Sequence, residues 1–286
     1  MPGGRAGRRR GEDCTGRGQP LGPSRAGAAG ADAGERVSEI CEGRPGRRDD
    51  GVSGTLAVYQ KELSTYFRSP IAYFVVAVFL LGTGYFFLYN IFLTGDATMA
   101  ETFQNMGVLL LTLIPVISMR LFSAEYSART MELLLALPLE PWQIVLGKYL
   151  GAITMLLLMT AGTLIDLVPL YLFGNPETLT ILSGYIGFVL LGMACLAVGQ
   201  FFSALTQNQI VAALITASVL LGFWFVGHLQ SFQTSYALRS LSGYLSFALH
   251  FADFIRGLVR TEGVTFYLVV CATALTLNAS YLQWRR

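Results

Sequence analysis

The chain has 286 residues, of which 53% are hydrophobic and 13% charged, and its formal net charge is +2. That balance points to no particular class of partner. The four cysteines, Cys14, Cys41, Cys195 and Cys271, lack a metal-ligand spacing such as C-x-x-C, so no metal site is expected on them.

In chain order, residues 1–54 stand apart. They hold 14 Gly, 10 Arg and 8 acidic residues, too little apolar surface to offset the entropy of ordering. They are expected to form a disordered Gly/Arg-rich extension that contributes nothing to function. It is not a secretory signal peptide, because no apolar core follows the arginines. The run Arg8-Arg9-Arg10 would suit anionic lipid or nucleic acid, but nearby acids nearly cancel its charge. No nucleic-acid partner is expected.

Residues 55–286 read as a membrane domain. A bilayer core about 30 Å thick needs roughly 20 mostly apolar residues in a helix. Six stretches meet that need: Ile71–Phe92, Phe103–Met119, Tyr149–Phe173, Leu179–Leu205, Ile210–Val226 and Val264–Trp284. The second and fifth are the shortest. Between the fourth and fifth lies only Thr206-Gln207-Asn208-Gln209, a tight turn. The expected fold class is an all-α integral membrane protein with six transmembrane helices. With the N-terminus inside, Lys61, Arg68, Arg120, Arg129, Lys148, Arg285 and Arg286 fall on the inner side, against Arg239, Arg256 and Arg260 outside. The positive-inside bias therefore predicts a multi-pass protein of the cell (inner) membrane with both termini cytoplasmic.

Two amphipathic pieces flank the spans. Leu56, Tyr59, Leu63, Tyr66 and Phe67 share one helical face, which predicts an N-terminal interfacial helix leading into the first span past Ser69-Pro70. Over Tyr244–Arg260, the residues Phe247, Ala248, Phe251, Phe254, Ile255 and Leu258 make an apolar stripe. This extracytoplasmic segment before the last span either lies flat or dips in as a re-entrant hairpin with residues Ser231–Ser242.

The longest inner loop carries the densest pattern. Glu125 and Arg129 are four apart in the favourable order for a helical ion pair, and Pro138 ends the helix while Pro141 keeps the next turn separate. On physical grounds this piece is either a solvated connector or a docking knob for a soluble partner. Its sequence resembles the signature of type-2 ABC exporter permeases. The matching positions are Arg120, Glu125, Thr130, Glu132, Leu133, Leu134, Leu135 and Pro138, followed by Ile144, Val145, Gly147, Lys148 and Tyr149. Lys61-Glu62 with Tyr66-Phe67-Arg68-Ser69-Pro70 is similar to the opening of the same family. Within that family it resembles the gliding-motility and copper-processing subgroups.

That resemblance implies a coupling helix in this loop, set against a separate ATP-binding subunit, with Glu125, Arg129, Thr130, Glu132, Leu133 and Pro138 at or near the contact. It also implies a second permease subunit, identical or related, with ATP and Mg²⁺ bound on the partner ATPase and no cofactor in this chain. No P-loop is present: Gly147-Lys148 precedes Tyr149 rather than Ser or Thr, and the glycine five residues earlier is missing. Nor does H-E-x-x-H or G-x-S-x-G occur, so no enzymatic activity of its own and no catalytic residue is expected.

Asp166 is the one ionisable residue well inside a span, and Pro169 follows it. It either lines a translocation path, or is protonated against a neighbouring helix, or reaches outer water. Asn90 and Gln200 are expected to make interfacial hydrogen bonds near span ends. Gly187, Gly192, Gly199, Ala194 and Ala197 favour close packing of the fourth span, within the subunit or across a dimer. The expected function is the permease subunit of an ABC exporter moving an unidentified substrate. The rival is a secondary transporter or channel driven by an ion gradient, which would need more intramembrane charge than Asp166.

Overall fold

The structure, a computed structural model, describes residues 51–94, 99–127, 130–131, 139–173, 177–227 and 236–285. Among these residues the regular structure is helical throughout. Helix α1 (Gly51–Arg68) begins inside the segment whose composition reads as an extension. Helix α2 (Pro70–Thr94) follows after the single break at Ser69. Pro70 suits that start, because a first-turn residue needs no amide hydrogen for the helix ladder. Then come α3 (Ala100–Ser118) and the short α4 (Ser123–Ser127).

Helix α5 spans Pro141–Gly162. The sequence reading starts this span at Tyr149 and treats Pro141 as a breaker. The structure corrects it: Glu140 caps the helix, Pro141 occupies its first turn, and Glu140 and Gln143 exchange hydrogen bonds in a capping box. Gly147, Lys148 and Tyr149 therefore lie within the helix. A 3₁₀ turn at Thr163–Asp166 interrupts it before α6 (Leu167–Phe173). Pro169 accounts for the interruption, since its ring lacks a donor and crowds the carbonyl four residues back, that of Ile165.

Helix α7 (Thr178–Leu205) and helix α8 (Gln209–Phe225) are joined by the expected tight turn, where the Asn208 side chain accepts from the Ile210 amide at 3.0 Å. Helices α9 (Tyr236–Leu245), α10 (Phe247–Ile255) and α11 (Thr261–Arg285) complete the described chain. Five helical segments, built on α2, α3, α5 with α6, α7 and α11, are long and apolar enough to cross a membrane. The apolar α8 is shorter, at 17 residues.

Helix α7 is the hub, packed against α3, α5, α8, α10 and α11. Its small residues make this possible. A Cβ on Gly187 would lie 2.4 Å from Phe254 Cβ, one on Gly192 2.6 Å from Leu156, and one on Gly199 2.5 Å from the Ser118 hydroxyl. The small-residue stripe thus serves packing within this chain, on three different neighbours. Asn90 and Gln200 are correspondingly interhelical rather than interfacial. Both are buried: Asn90 donates to Thr102 Oγ1 at 3.3 Å, and Gln200 Nε2 donates to the Val145 carbonyl at 2.9 Å.

The amphipathic segment before the last helix enters the bundle. It is broken at Ser246, which caps α10 by accepting from the Leu249 amide. Phe247, Phe251 and Phe254 are fully buried. Phe254 reaches Gly187, nine residues into α7, or about 13 Å along a helix rising 1.5 Å per residue. Leu258, expected on the apolar stripe, is 51% exposed. The helix has already ended at Ile255, and Gly257, at φ +82°, turns the chain through a left-handed conformation that glycine adopts without a Cβ penalty.

Candidate functional site

The segments that carry the sequence signature meet at one end of the bundle. Helix α1 runs beside the first half of α5 in the same direction. Gly54 faces Gln143, Val58 faces Gly147, and Glu62 faces Gly151. A Cβ on Gly147 would meet the Thr55 carbonyl oxygen at 2.9 Å and Val58 Cβ at 2.7 Å. One on Gly151 would meet Glu62 Cβ at 2.9 Å. Gly147-x-x-x-Gly151 is thus a small-residue seam that lets the two backbones approach. Gly147 is expected as a position of the permease signature and is excluded as a phosphate-binding glycine; its packing role goes unread, although the four-residue spacing to Gly151 is its signal.

Successive residues of a helix point about 100° apart, so Gly147, Lys148 and Tyr149 address three neighbours. Gly147 faces α1. Tyr149 donates its hydroxyl to the Met193 carbonyl of α7 at 2.9 Å. Lys148, 1% exposed, turns its ammonium toward two carboxylates: Glu62 Oε1 of α1 at 2.5 Å and Glu125 Oε2 of α4 at 3.0 Å. The Phe122 ring, its centroid 5.2 Å away, lies against the same ammonium. Lys61, on the solvent side, donates to the other oxygen of Glu125 at 2.9 Å. Among the described residues, two cations and two anions therefore form a cluster without net charge across α1, α4 and α5. Among the described residues, Lys148 and Glu62 are the charged side chains in the buried class.

A second layer surrounds the cluster. Arg120 Nη1 donates to Ser69 Oγ at 2.7 Å, which ties the end of α3 to the hinge between α1 and α2. Tyr66 is buried beside Glu62 and Arg120, and its hydroxyl has no hydrogen-bond partner among the described residues. Burial, reinforced by the Glu62 carboxylate and opposed by Arg120, pushes its phenol well above the ordinary range and keeps it neutral.

Helix α4 is also fastened to the end of α7. Ser203 Oγ accepts from the amides of Phe122 (3.1 Å) and Ser123 (3.2 Å) and donates to the Met119 carbonyl at 3.1 Å. Ser123 Oγ lies 2.9 Å from both the Ser203 and Thr206 carbonyls, and its single proton serves one at a time. Ser127 Oγ lies within donating distance of both the Ser123 carbonyl (2.8 Å) and the Gln207 carbonyl (2.9 Å). Periodicity does not reveal Ser203, since its partners lie some 80 positions away.

Of the residues expected at an ATPase contact, Glu125 turns its carboxylate into the cluster and keeps 13% side-chain exposure. Thr130 is exposed, and its amide and hydroxyl both reach the Glu125 carbonyl oxygen, at 3.0 and 3.3 Å. Arg129, Glu132, Leu133 and Pro138 lie outside the described residues. Asp166 sits far from this end, half-buried in the 3₁₀ turn between α5 and α6. At the opposite end of the bundle a cleft of about 410 Å³ separates α3 from α10, lined by Glu101, Gln104, Asn105 and Arg256. No group of three or more His, Cys, Asp or Glu among the described residues is placed to hold a metal ion.

Comparison with known proteins adds the decisive finding. Residues 56–243, about two thirds of the chain, match the family described as ABC-2 family transporter protein. No curated protein matches the chain. The matched span starts in α1, covers α4 and the whole charged cluster, and includes four of the five helical segments long enough to cross a membrane. The chain therefore belongs to the ABC-2 transporter family and is a multi-pass membrane permease component of an ABC transporter.

Proposed function

We propose that this chain is the membrane subunit of an ATP-driven exporter of the type resembled by the gliding-motility and copper-processing permeases. In this reading α8 crosses the membrane as a sixth span, and both termini are cytoplasmic. The end bearing α1, α4 and the charged cluster then faces the cytoplasm, and α9 and α10 form an extracytoplasmic re-entrant pair. A separate ATP-binding subunit holds ATP and Mg²⁺ and docks on the loop from Arg120 to Pro138, where Thr130 is exposed and Arg129, Glu132, Leu133 and Pro138 continue the contact. A second six-span chain, identical or related, completes the translocation path, and Asp166 lines it beside the break in α5.

The observation that carries this reading is the family match across the loop signature, together with the convergence of Lys61, Glu62, Arg120, Glu125 and Lys148 at one end of the bundle. The test is affinity purification of the full chain from its native membrane in mild detergent. An ATPase carrying a P-loop should co-purify, and Thr130→Arg, which places bulk and charge on the exposed loop, should reduce its recovery about tenfold, equivalent to roughly 1.4 kcal/mol. Recovery of the permease without any ATPase would overturn the proposal. Asp166→Asn should leave recovery unchanged while altering transport of whichever compound stimulates hydrolysis. Unaltered transport would remove Asp166 from the path.

A further inference from the structure

We infer that Lys148 is a positioning residue that joins α1, α4 and α5 into one rigid unit, so that movement imposed on α4 is delivered to the spans rather than absorbed by the loop. The inference rests on the permease reading above and adds to it a residue outside the loop expected to touch the ATPase.

Burying an ammonium and a carboxylate is unfavourable unless the geometry is good, and well-packed apolar residues would often hold the same helices at least as well. Charges at this place therefore supply something other than adhesion. What they supply is a contact with fixed direction. The Lys148 ammonium has three protons on one side chain, and the structure directs it to Glu62 on α1, to Glu125 on α4 and to the Phe122 ring just before α4. Without Lys148, Glu125 keeps only Lys61, which is 54% exposed on a flexible stem. Helix α4 would then remain tied to the end of α7 through Ser203 and Ser123 and lose its anchor to α5. Helix α1 would retain its glycine seam on α5 but lose its only charged link to that helix among the described residues.

Helix α5 is the element through which such a push would matter. It begins at Pro141 beside the cluster and runs to the 3₁₀ break that holds Asp166. A short 3₁₀ stretch within a long helix is a common hinge. Lys148 connects the loop to the rigid half of α5, on the cluster side of that break.

The experiment reads the far end of the bundle while ATP acts at the near end. A cysteine is introduced by Gln104→Cys in the cleft between α3 and α10, with Cys14 and Cys41 replaced by serine. The permease is purified with its ATPase into nanodiscs, and the maleimide labelling rate is measured with and without a non-hydrolysable ATP analogue. With Lys148 intact the analogue should change the rate about fivefold or more, a coupling of roughly 1 kcal/mol. In Lys148→Met the change should fall below about twofold, while hydrolysis by the bound ATPase stays within about threefold of the parent. A merely structural Lys148 would lower the yield of folded complex and leave the response of the folded fraction intact, and that result overturns the inference. Should Lys148→Met fail to fold, Glu62→Gln, which keeps the shape and removes one charge, is read in the same way. Failure of the permease reading looks different: no ATPase co-purifies, and the parent itself shows no response to the analogue.

Discussion

At the end of the bundle that holds α4, the chain is organised by charge. Among the described residues, Lys148, Glu62, Glu125 and Lys61 form a cluster without net charge between three helices, and the serine contacts at Ser203 and Ser123 fix the same short helix from the other side. At the opposite end it is organised by shape. Phe247, Phe251 and Phe254 of α10 are fully buried among Trp224, Phe266 and Tyr267, and a few hydrogen bonds, such as Ser183 Oγ to the Phe254 carbonyl at 2.9 Å, set its depth. The difference lies in how each end fails. Removing the buried Lys148 strands two carboxylates and affects three helices together. A change in the aromatic end creates a void or a clash that the nearest side chains absorb.

The largest effect is expected from Lys148→Met. It leaves Glu62 and Glu125 facing each other with one exposed cation nearby, and uncompensated burial of this kind costs about 3–5 kcal/mol. Thermal unfolding of the purified complex should shift downward accordingly. Adding Glu62→Leu to Lys148→Met should recover part of the loss, because a shape-filling apolar contact often replaces a buried pair at little cost. If Lys148→Met unfolds at the parent temperature, the cluster does not organise this end.

Gly187→Ala breaks the comparison from the other side. The new methyl would meet Phe254 Cβ at 2.4 Å, an atom fixed to its backbone and unable to rotate away. Either α10 shifts outward or α7 does, at about 1–3 kcal/mol for overpacking. Thermal stability should drop, while the ATPase remains bound at the far end, because the packing at Gly187 contributes nothing to the charged cluster. Loss of the ATPase in Gly187→Ala would mean that the aromatic packing also shapes the docking end.

Much of the fold was legible because the hydropathy signal at bilayer length is strong. The apolar stretches from Ile71, Phe103, Leu179, Ile210 and Val264 each fall on a helix with ends displaced by only a few residues. The start of the third span was not legible in this way. Lys148 lowers the apolar score where α5 already exists, and Pro141 signals a break although it occupies a first turn, where proline is favoured. At the site, the pattern singles out Glu125. Helical spacing points to Arg129 as its partner, which lies outside the described residues; the contacts to Lys61 and Lys148 from α1 and α5 were not legible. Contacts between positions as far apart as 62 and 148 leave no trace in local periodicity. Asn90 and Gln200 show the same limit: position along a span says how near the end a polar group lies, not which neighbouring helix shields it.

The smallest expected effect distinguishes the two lysines of the cluster. Lys61 and Lys148 touch the same carboxylate at nearly the same distance, 2.9 and 3.0 Å. A view based on contacts alone would rate them equally. Their surroundings differ, since Lys61 is 54% exposed and Lys148 is 1% exposed. Water already solvates the Lys61 ammonium, and the pair also costs side-chain entropy, so an exposed bridge of this type contributes about 0.2–1 kcal/mol. Lys61→Ala should therefore lower thermal stability only slightly, with the decrement shrinking further as salt is raised. If Lys61→Ala proves as damaging as Lys148→Met, burial is not what sets the strength of this cluster, and the outer lysine holds α4 as firmly as the inner one.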